Sequence, residues 1–172
     1  MRTVEKLTDF KYLNLFKIKD PENNVNGFYY AERLGKDSIA FICYDEDSET
    51  FLLNQEVKPP IGSMVLGAFG GSIDSNKTPL QIVSGELKEE AGFEVGFDQI
   101  KYVGRVLVST QMNQYCYLYL VFVDKNKQGI RCPENEIEKM ALISWHSLEE
   151  LAQLEDWKPI VIIEKAKEKK II

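Results

Sequence analysis

The chain has 172 residues, of which 44% are hydrophobic and 28% charged, and its net charge is −6; this balance is typical of one globular domain with at most a small appended piece. No apolar run approaches the ~18 residues that cross a bilayer, and the negative charge disfavours a basic surface for duplex nucleic acid. The N-terminus is too charged for a signal peptide and the three cysteines form no C-x-x-C pair, so the composition predicts a cytoplasmic protein without a disulfide framework or zinc site.

The first part of the chain has the pattern of short strands separated by turn residues. A loosely patterned lead-in runs through KDPENNVNG, and FYYAER (Phe28–Arg33) follows as a short strand. DSIAFICYDEDSETFLLNQEV predicts a hairpin of two apolar strands around an acidic turn. Pro59, Pro60 and Gly62 then interrupt the chain before MVLGAF, which is another predicted strand.

The periodicity then changes to that of a helix. Thr78 is a suitable N-cap, and Pro79 stands at the first helical position, where proline is preferred. Four apolar residues recur at helical spacing and predict a buried stripe: Leu80, Val83, Leu87 and Ala91. Gly92 supplies the expected helix stop.

The remainder of the chain predicts strands followed by helices. IKYVGRVLVS and YCYLYLVFV are strongly β in composition, and the second is apolar enough to lie centrally in a sheet. KMALISW predicts a further strand, and SLEELAQL and WKPIVIIEKAKEKK predict two closing helices. The fold class is therefore α+β, with strands flanked by helices.

The predicted helix gathers three glutamates within five residues. Glu86 and Glu90 lie one turn apart on one face, with Glu89 at its edge. Their mutual repulsion, and their position towards the negative end of the helix dipole, both disfavour the folded state. Mg²⁺ or Mn²⁺ would remove this penalty, since hard cations prefer carboxylate oxygens. A solvent-exposed acidic face is the alternative that the spacing leaves open.

The segment Gly71–Phe93 resembles the Nudix box, G-x5-E-x7-R-E-U-x-E-E-x-G-U, in which U is a bulky apolar residue. The first glycine corresponds to Gly71, and the closing residues ELKEEAGF fit the end of the pattern. Lys77 stands where the box has glutamate, and Gly85 where it has arginine. The resemblance extends over most of the chain to Nudix proteins similar to ADP-ribose pyrophosphatases.

This resemblance implies a Nudix α/β/α sandwich with a mixed β-sheet, and a Mg²⁺- or Mn²⁺-dependent pyrophosphohydrolase. It implies that Glu86 and Glu90 bind metal, that Glu89 is an auxiliary metal ligand with a catalytic part, and that the carbonyl of Gly70 is a further ligand. A glutamate of the acidic loop PENEIE would act as catalytic base or extra metal ligand. Glu136 is the candidate chosen, with Glu134 and Glu138 as alternatives.

The implied substrate is a nucleoside diphosphate linked to another group, with ADP-ribose or a related nucleotide sugar favoured. Tyr29 or Tyr30 could stack on a base, and Lys58 could meet a phosphate. Gln111 is a further substrate-binding candidate, at a place where the relatives have Ser-Pro-Gly. Gly67 replaces a glutamate that the relatives have, which keeps dinucleoside polyphosphates and NADH open as alternative substrates. RNA ends are a separate alternative, which the negative net charge disfavours.

The resemblance also implies a division at residue 36. Residues 1–36 would form a short N-terminal β extension that completes the partner's site in a homodimer, and residues 37–172 the Nudix domain. The expected binding partner is a small-molecule nucleotide, and no association with a membrane is expected. Since Gly85 replaces the box arginine, a catalytically weak nucleotide-binding or sensor module is the alternative from another class of function.

Overall fold

A computed structural model describes all of residues 1–172 and divides the strands between two sheets. The strands are β1 (Thr3–Lys6), β2 (Leu13–Asp20), β3 (Val25–Arg33), β4 (Ser38–Asp45), β5 (Thr50–Lys58), β6 (Ser63–Gly67), β7 (Phe69–Ser72), β8 (Ile100–Leu107), β9 (Tyr115–Phe122) and β10 (Leu142–His146). The helices are α1 (Pro79–Glu86), α2 (Glu136–Met140), α3 (Leu148–Leu151) and α4 (Trp157–Glu168). None of the helices is long and apolar enough to cross a membrane.

The larger sheet is mixed. Its main path follows the order β10-β5-β4-β9-β8, with β6 paired to β5 and β7 paired to β4. Strands β4 and β9 run parallel, and the other pairs are antiparallel. Strands β4 and β9 occupy the centre of the sheet, and their apolar runs suit this place because both faces of a central strand are covered.

Each face of this sheet carries its own apolar core. Phe41 and Phe69 pack beneath α1 and the turn that follows it, where Val83 and Leu87 are almost completely buried. On the opposite face, Ile162 and its neighbours on α4 pack against a second cluster drawn from β4, β5, β8 and β9. Helices therefore cover both faces of the sheet, and the predicted α/β/α sandwich is confirmed.

Helix α1 and the turn that follows it together span the predicted helix, from the cap at Thr78 to the stop at Gly92. The hydroxyl of Thr78 accepts a hydrogen bond from the Gln81 amide in a capping box, and Pro79 is the first helical residue. Leu87–Ala91 then form a π-helical turn, in which the amide of Gly92 donates to the carbonyl of Leu87. Gly92 ends the element with a φ of 78°, a conformation that favours glycine. The π turn is a difference from the regular helix that the periodicity predicts.

The smaller sheet contains the lead-in, in the order β1-β2-β3. The irregular pattern of residues 1–24 did not predict β1 and β2, because β1 is exposed and no residue of β2 is fully buried, so neither strand has the signal of a packed face. Backbone hydrogen bonds join Ala31 to Gln111 and Asn113 in the β8–β9 loop, and so attach this sheet to the larger one. The division between residues 36 and 37 stays an interpretation.

The predicted strand KMALISW is partly wrong. Lys139 and Met140 end α2, and the strand begins at Leu142. Asn135 caps α2 by accepting hydrogen bonds from the amides of Ile137 and Glu138, which makes the preceding acidic loop end in a helical turn.

Candidate active site

A cavity of about 460 Å³ opens beside β7 and the turn that follows α1. Its lining includes backbone from Phe69–Ser72, and the sheet pairs this segment with β4. Six charged side chains line it: Arg33, Lys58, Lys158, Glu56, Glu90 and Glu138. The cavity thus combines carboxylates and cations within a space that a nucleotide-sized ligand could occupy.

Glu90 is the most unusual side chain of this cavity. It is only 6% exposed, and its Oε2 has no hydrogen-bond partner. Burial, together with the charges of Glu86 and Glu138, raises the pKa of Glu90 to about 8, although the backbone of Gly70 acts in the opposite direction. A buried carboxylate without a partner costs free energy in the absence of a cation.

Glu86 lies against the first glycine of the box pattern. A Cβ at Gly71 would collide with Oε1 of Glu86, so a residue without a side chain is needed for the carboxylate to pass. Burial raises the pKa of Glu86 to about 7, with further contributions from Glu89 and Glu138. The close approach of β7 and α1 therefore accounts for the glycine.

Glu89 and Glu86 are both partly exposed, in contrast to the buried Glu90, and neither of the two lines the cavity. Burial and the charge of Glu134 raise its pKa, and Lys77 lowers it. Lys77 also opposes the rise at Glu86, so this departure from the box pattern supplies a cation near two of the glutamates. Gly85 leaves open space, since a Cβ there would meet only Oε1 of Glu89 at 3.9 Å.

The structure distinguishes the three candidate glutamates of the acidic loop. The Glu136 side chain is 85% exposed, pairs with Lys139 at 2.7 Å, and lies outside the cavity lining. Glu138 lines the cavity and is half-buried. It accepts a hydrogen bond from the Glu134 amide at 2.9 Å and completes the capping box of Asn135. Glu134 lies outside the cavity lining, although its charge raises the pKa of Glu89. Glu138 is therefore the one of the three that lines the cavity with Glu90.

The cations of the cavity have different partners. Lys58, a predicted substrate-binding residue, lines the cavity and pairs with Glu56, which also lines it. Arg33 donates to the hydroxyl of Ser72. Lys158 at the start of α4 pairs with Asp156. The sequence carries no local signal for Arg33 or Lys158, since each reaches the cavity only through tertiary folding.

Three predicted substrate-binding residues lie outside the cavity of a single chain. Tyr29 is exposed on β3, where Lys17 lies 5.3 Å from its ring centroid. Tyr30 stacks on Phe16 within the smaller sheet, with ring centroids 5.2 Å apart. The carbonyl of Gln111 accepts from the Ala31 amide, which places Gln111 beside the smaller sheet.

A family model of the NUDIX domain matches residues 35–164. This chain belongs to the Nudix family. The Nudix fold is also found in a crystal structure of an ADP compounds hydrolase, which has a TM-score of 0.72 and 14% sequence identity over 96% of this chain and 90% of that chain. At this identity, the likeness concerns the fold alone. No curated protein matches the chain significantly.

Nudix membership makes the chain a hydrolase that acts on pyrophosphate bonds. Nudix hydrolases generally use divalent metal ions. No three His, Cys, Asp or Glu side chains are gathered here as a ready-made metal site. Mg²⁺, however, often takes only one or two protein carboxylates and keeps several water ligands. The unpartnered Oε2 of Glu90, with Glu86 beside it, fits this requirement.

Proposed function

We propose that the chain is a Mg²⁺- or Mn²⁺-dependent hydrolase of a nucleoside diphosphate linked to another group, with ADP-ribose or a related nucleotide sugar as its substrate. The observation that carries this proposal is the buried Oε2 of Glu90, which has no hydrogen-bond partner and lines a cavity that also contains three cationic side chains. Such a carboxylate suits a hard cation. The cations suit the phosphates of the substrate.

Glu86 and Glu90 would hold the metal, with Glu89 and the Gly70 carbonyl as further candidates. When bound, the ion would neutralise charge on the phosphates and lower the pKa of a water molecule. Glu138 takes the role of general base in preference to Glu136, since its carboxylate faces the cavity and would accept a proton from water there. Lys58 would contact a phosphate oxygen.

The smaller sheet supports a homodimer as part of this proposal. Phe10, Tyr12 and Leu15 are among several of its large apolar side chains that are about half exposed or more. Burying such a surface against a second copy would be favourable. Tyr29, Tyr30 and Gln111, which lie outside the cavity of their own chain, would then contribute to substrate binding across the interface. Sedimentation equilibrium tests the dimer, and a monomer at micromolar concentration would contradict it.

The cytoplasm is the proposed compartment. The three cysteines, Cys43, Cys116 and Cys132, are all unpaired, which agrees with a reducing environment. Fractionation of the host cell would test this assignment.

The decisive experiment is hydrolysis of a substrate panel in the presence of Mg²⁺ or Mn²⁺. The panel contains ADP-ribose, nucleotide sugars, NADH and diadenosine polyphosphates, and EDTA serves as the metal-free arm. We expect the largest kcat/KM for ADP-ribose or a nucleotide sugar, and no turnover in EDTA. Turnover of no panel member would overturn the proposed activity, and unchanged turnover in EDTA would overturn its metal dependence.

Glu138→Gln and Glu136→Gln form a matched pair for the general base. Both variants remove one carboxylate from α2, and glutamine at residue 138 can still complete the capping box. We expect Glu138→Gln to lower kcat by about 100-fold, within the usual range for a general base. Glu136→Gln should remain within a factor of two or so of wild type. The reverse pattern would assign the base to Glu136.

A further inference from the structure

Helix α4 reaches the cavity from the face of the sheet opposite to α1. Its second residue, Lys158, lines the cavity together with Gly70 and Glu90. The Lys158 side chain is 31% exposed, so its ammonium group is partly withdrawn from water. A cation in this position faces the same space as Glu90, one of the proposed metal ligands.

The side chain of Asp156 determines the position of this ammonium group. Asp156 is the N-cap of α4, and its Oδ1 accepts from the amide of Lys158 at 3.1 Å. The Nζ of Lys158 lies 3.0 Å from Oδ1 and 3.2 Å from Oδ2 of Asp156. The Asp156 side chain is itself only 9% exposed. The lysine is therefore tied to a buried and already anchored carboxylate.

The end of β6 provides the second anchor of Asp156. The amide of Ala68 donates to Oδ2 of Asp156 at 3.1 Å. A Cβ at residue 67 would collide with this carboxylate, so Gly67 leaves the space that Asp156 occupies. Gly67, Asp156 and Lys158 thus form one unit, in which a glycine admits an aspartate and the aspartate holds a lysine at the cavity.

One N–H donor of the Lys158 ammonium group remains available to a ligand. A lysine ammonium has three N–H donors, and the two oxygens of Asp156 take up at most two of them. Asp156 lies outside the cavity lining, whereas Lys158 lies within it. Lys58 differs, because its partner Glu56 also lines the cavity. The arrangement therefore presents one cationic donor to a ligand while its counter-charge stays behind it.

We propose that Lys158 binds a phosphate oxygen of the nucleotide substrate, and that Asp156, admitted by Gly67, is its positioning residue. This inference rests on the proposed function for the identity of the substrate, and it names a binding residue on α4 that lies apart from the box segment. Lys158 acts by charge and by one hydrogen bond, so its contribution falls with increasing salt.

Direct binding of ADP in the presence of Mg²⁺, measured by isothermal titration calorimetry, tests the role of Lys158 without requiring turnover. We expect Lys158→Gln to weaken ADP binding about tenfold, as for loss of a charge-assisted hydrogen bond, and Lys158→Arg to recover part of the affinity. Lys167→Gln is the matched control, because Lys167 lies on the same helix and pairs with Glu164 at 3.1 Å, but is outside the cavity. Its affinity should equal that of wild type.

Two results would overturn the inference. One is wild-type protein that does not bind ADP, and the other is a Lys158→Gln variant that binds it as tightly as wild type. With a substrate that is turned over, Lys158→Gln should raise KM by about tenfold and change kcat less. Failure of the whole substrate panel would instead reject the proposed activity, while the ADP titration would still decide the role of Lys158.

A double-mutant cycle tests Asp156 as the positioning residue. Asparagine preserves the N-cap but removes the charge that holds Lys158. We expect Asp156→Asn to weaken ADP binding by about threefold in wild type and to have no further effect in the Lys158→Gln background. Equal losses in both backgrounds, or no loss in either, would show that Asp156 does not act through Lys158. Thermal unfolding of each variant confirms that the fold is retained.

Discussion

Helices α1 and α4 cover opposite faces of one sheet, and both begin by the same local rules. Thr78 caps α1 and Asp156 caps α4, and each helix has a proline within its first three residues. Each also buries an apolar stripe, which includes Val83 on α1 and Ile162 on α4. The two helices are therefore alike in how the sequence forms them and packs them.

They differ in how their charged side chains are satisfied. On α4, Lys158 pairs with Asp156 and Lys167 pairs with Glu164. In the turn that continues α1, Glu90 is buried with an unpartnered oxygen, and Glu86 at the end of α1 lies near enough for its charge to raise the pKa of Glu90. Pairing is what stability alone would favour, so the exception at Glu90 agrees with the proposed metal site.

The largest effect that we expect from this difference between the charged side chains of the two helices is on turnover. Glu90→Gln preserves the size of the side chain but removes the charge that would hold the metal. Loss of an outer-shell partner of a metal ligand typically costs 10–100-fold in activity, so loss of a ligand should cost about 100-fold or more in kcat. The matched control is Glu164→Gln on α4, an exposed carboxylate whose loss should leave kcat unchanged. Retained turnover in Glu90→Gln would remove Glu90 from the metal site.

The same substitution should act in the opposite direction on stability. In metal-free protein, Glu90→Gln replaces an unpartnered buried carboxylate by a neutral amide and should raise the free energy of unfolding by about 1–3 kcal/mol at pH 9. Urea denaturation in EDTA measures this difference. Mg²⁺ should raise the melting temperature of wild type more than that of the variant.

The gain in stability from Glu90→Gln should increase with pH. Burial and the charges of Glu86 and Glu138 raise the folded-state pKa of Glu90 to about 8, from 4.5. The folded wild type therefore binds a proton that the unfolded chain releases near pH 4.5. This contribution to stability is complete below that pH and is lost as the pH rises to about 8. The advantage of Glu90→Gln should thus be larger at pH 9 than at pH 5, and an advantage independent of pH would contradict the assigned cause.

On α4 we expect a smaller loss of stability. Asp156→Ala removes the N-cap and leaves the Ala68 amide without its side-chain acceptor, which should lower the free energy of unfolding by about 1–2 kcal/mol. Glu164→Ala, on the same helix, removes only an exposed ion pair and should change it by less than about 0.5 kcal/mol. Equal effects of the two substitutions would mean that the cap of α4 contributes no more than a surface pair.

The sequence predicts those parts of the molecule whose signals are local. The cap at Thr78, the stop at Gly92 and the apolar stripe between them lie within fifteen residues, so their spacing alone indicates the helix. The same periodicity brings Glu86 and Glu90 to one face. The apolar run of β9 predicts its central place in the sheet, because such a strand must be covered on both faces.

Residues joined by tertiary contacts lacked such a signal. Asp156 and the Ala68 amide are 88 residues apart, and nothing in either segment indicates the other. The choice among the glutamates of the acidic loop depends on the cap of α2, which turns Glu138 towards the cavity and Glu136 outwards. The spacing N-x-x-E from Asn135 to Glu138 is a capping-box pattern, and it is the signal that could have favoured Glu138.

The smallest predicted effect concerns Gly85, which lies within α1, in contrast to Gly92, which ends the turn after it. Gly85 has helical surroundings with open space, so Gly85→Ala should raise the free energy of unfolding by about 0.5–1 kcal/mol. Gly92 is the matched contrast, since its φ of 78° and its close approach to the Gly129 carbonyl make Gly92→Ala destabilising. Thermal unfolding of both variants measures the difference in sign. A loss of stability in Gly85→Ala would mean that the fold requires glycine at this position. A gain would mean that the fold does not explain why glycine stands where the box has arginine.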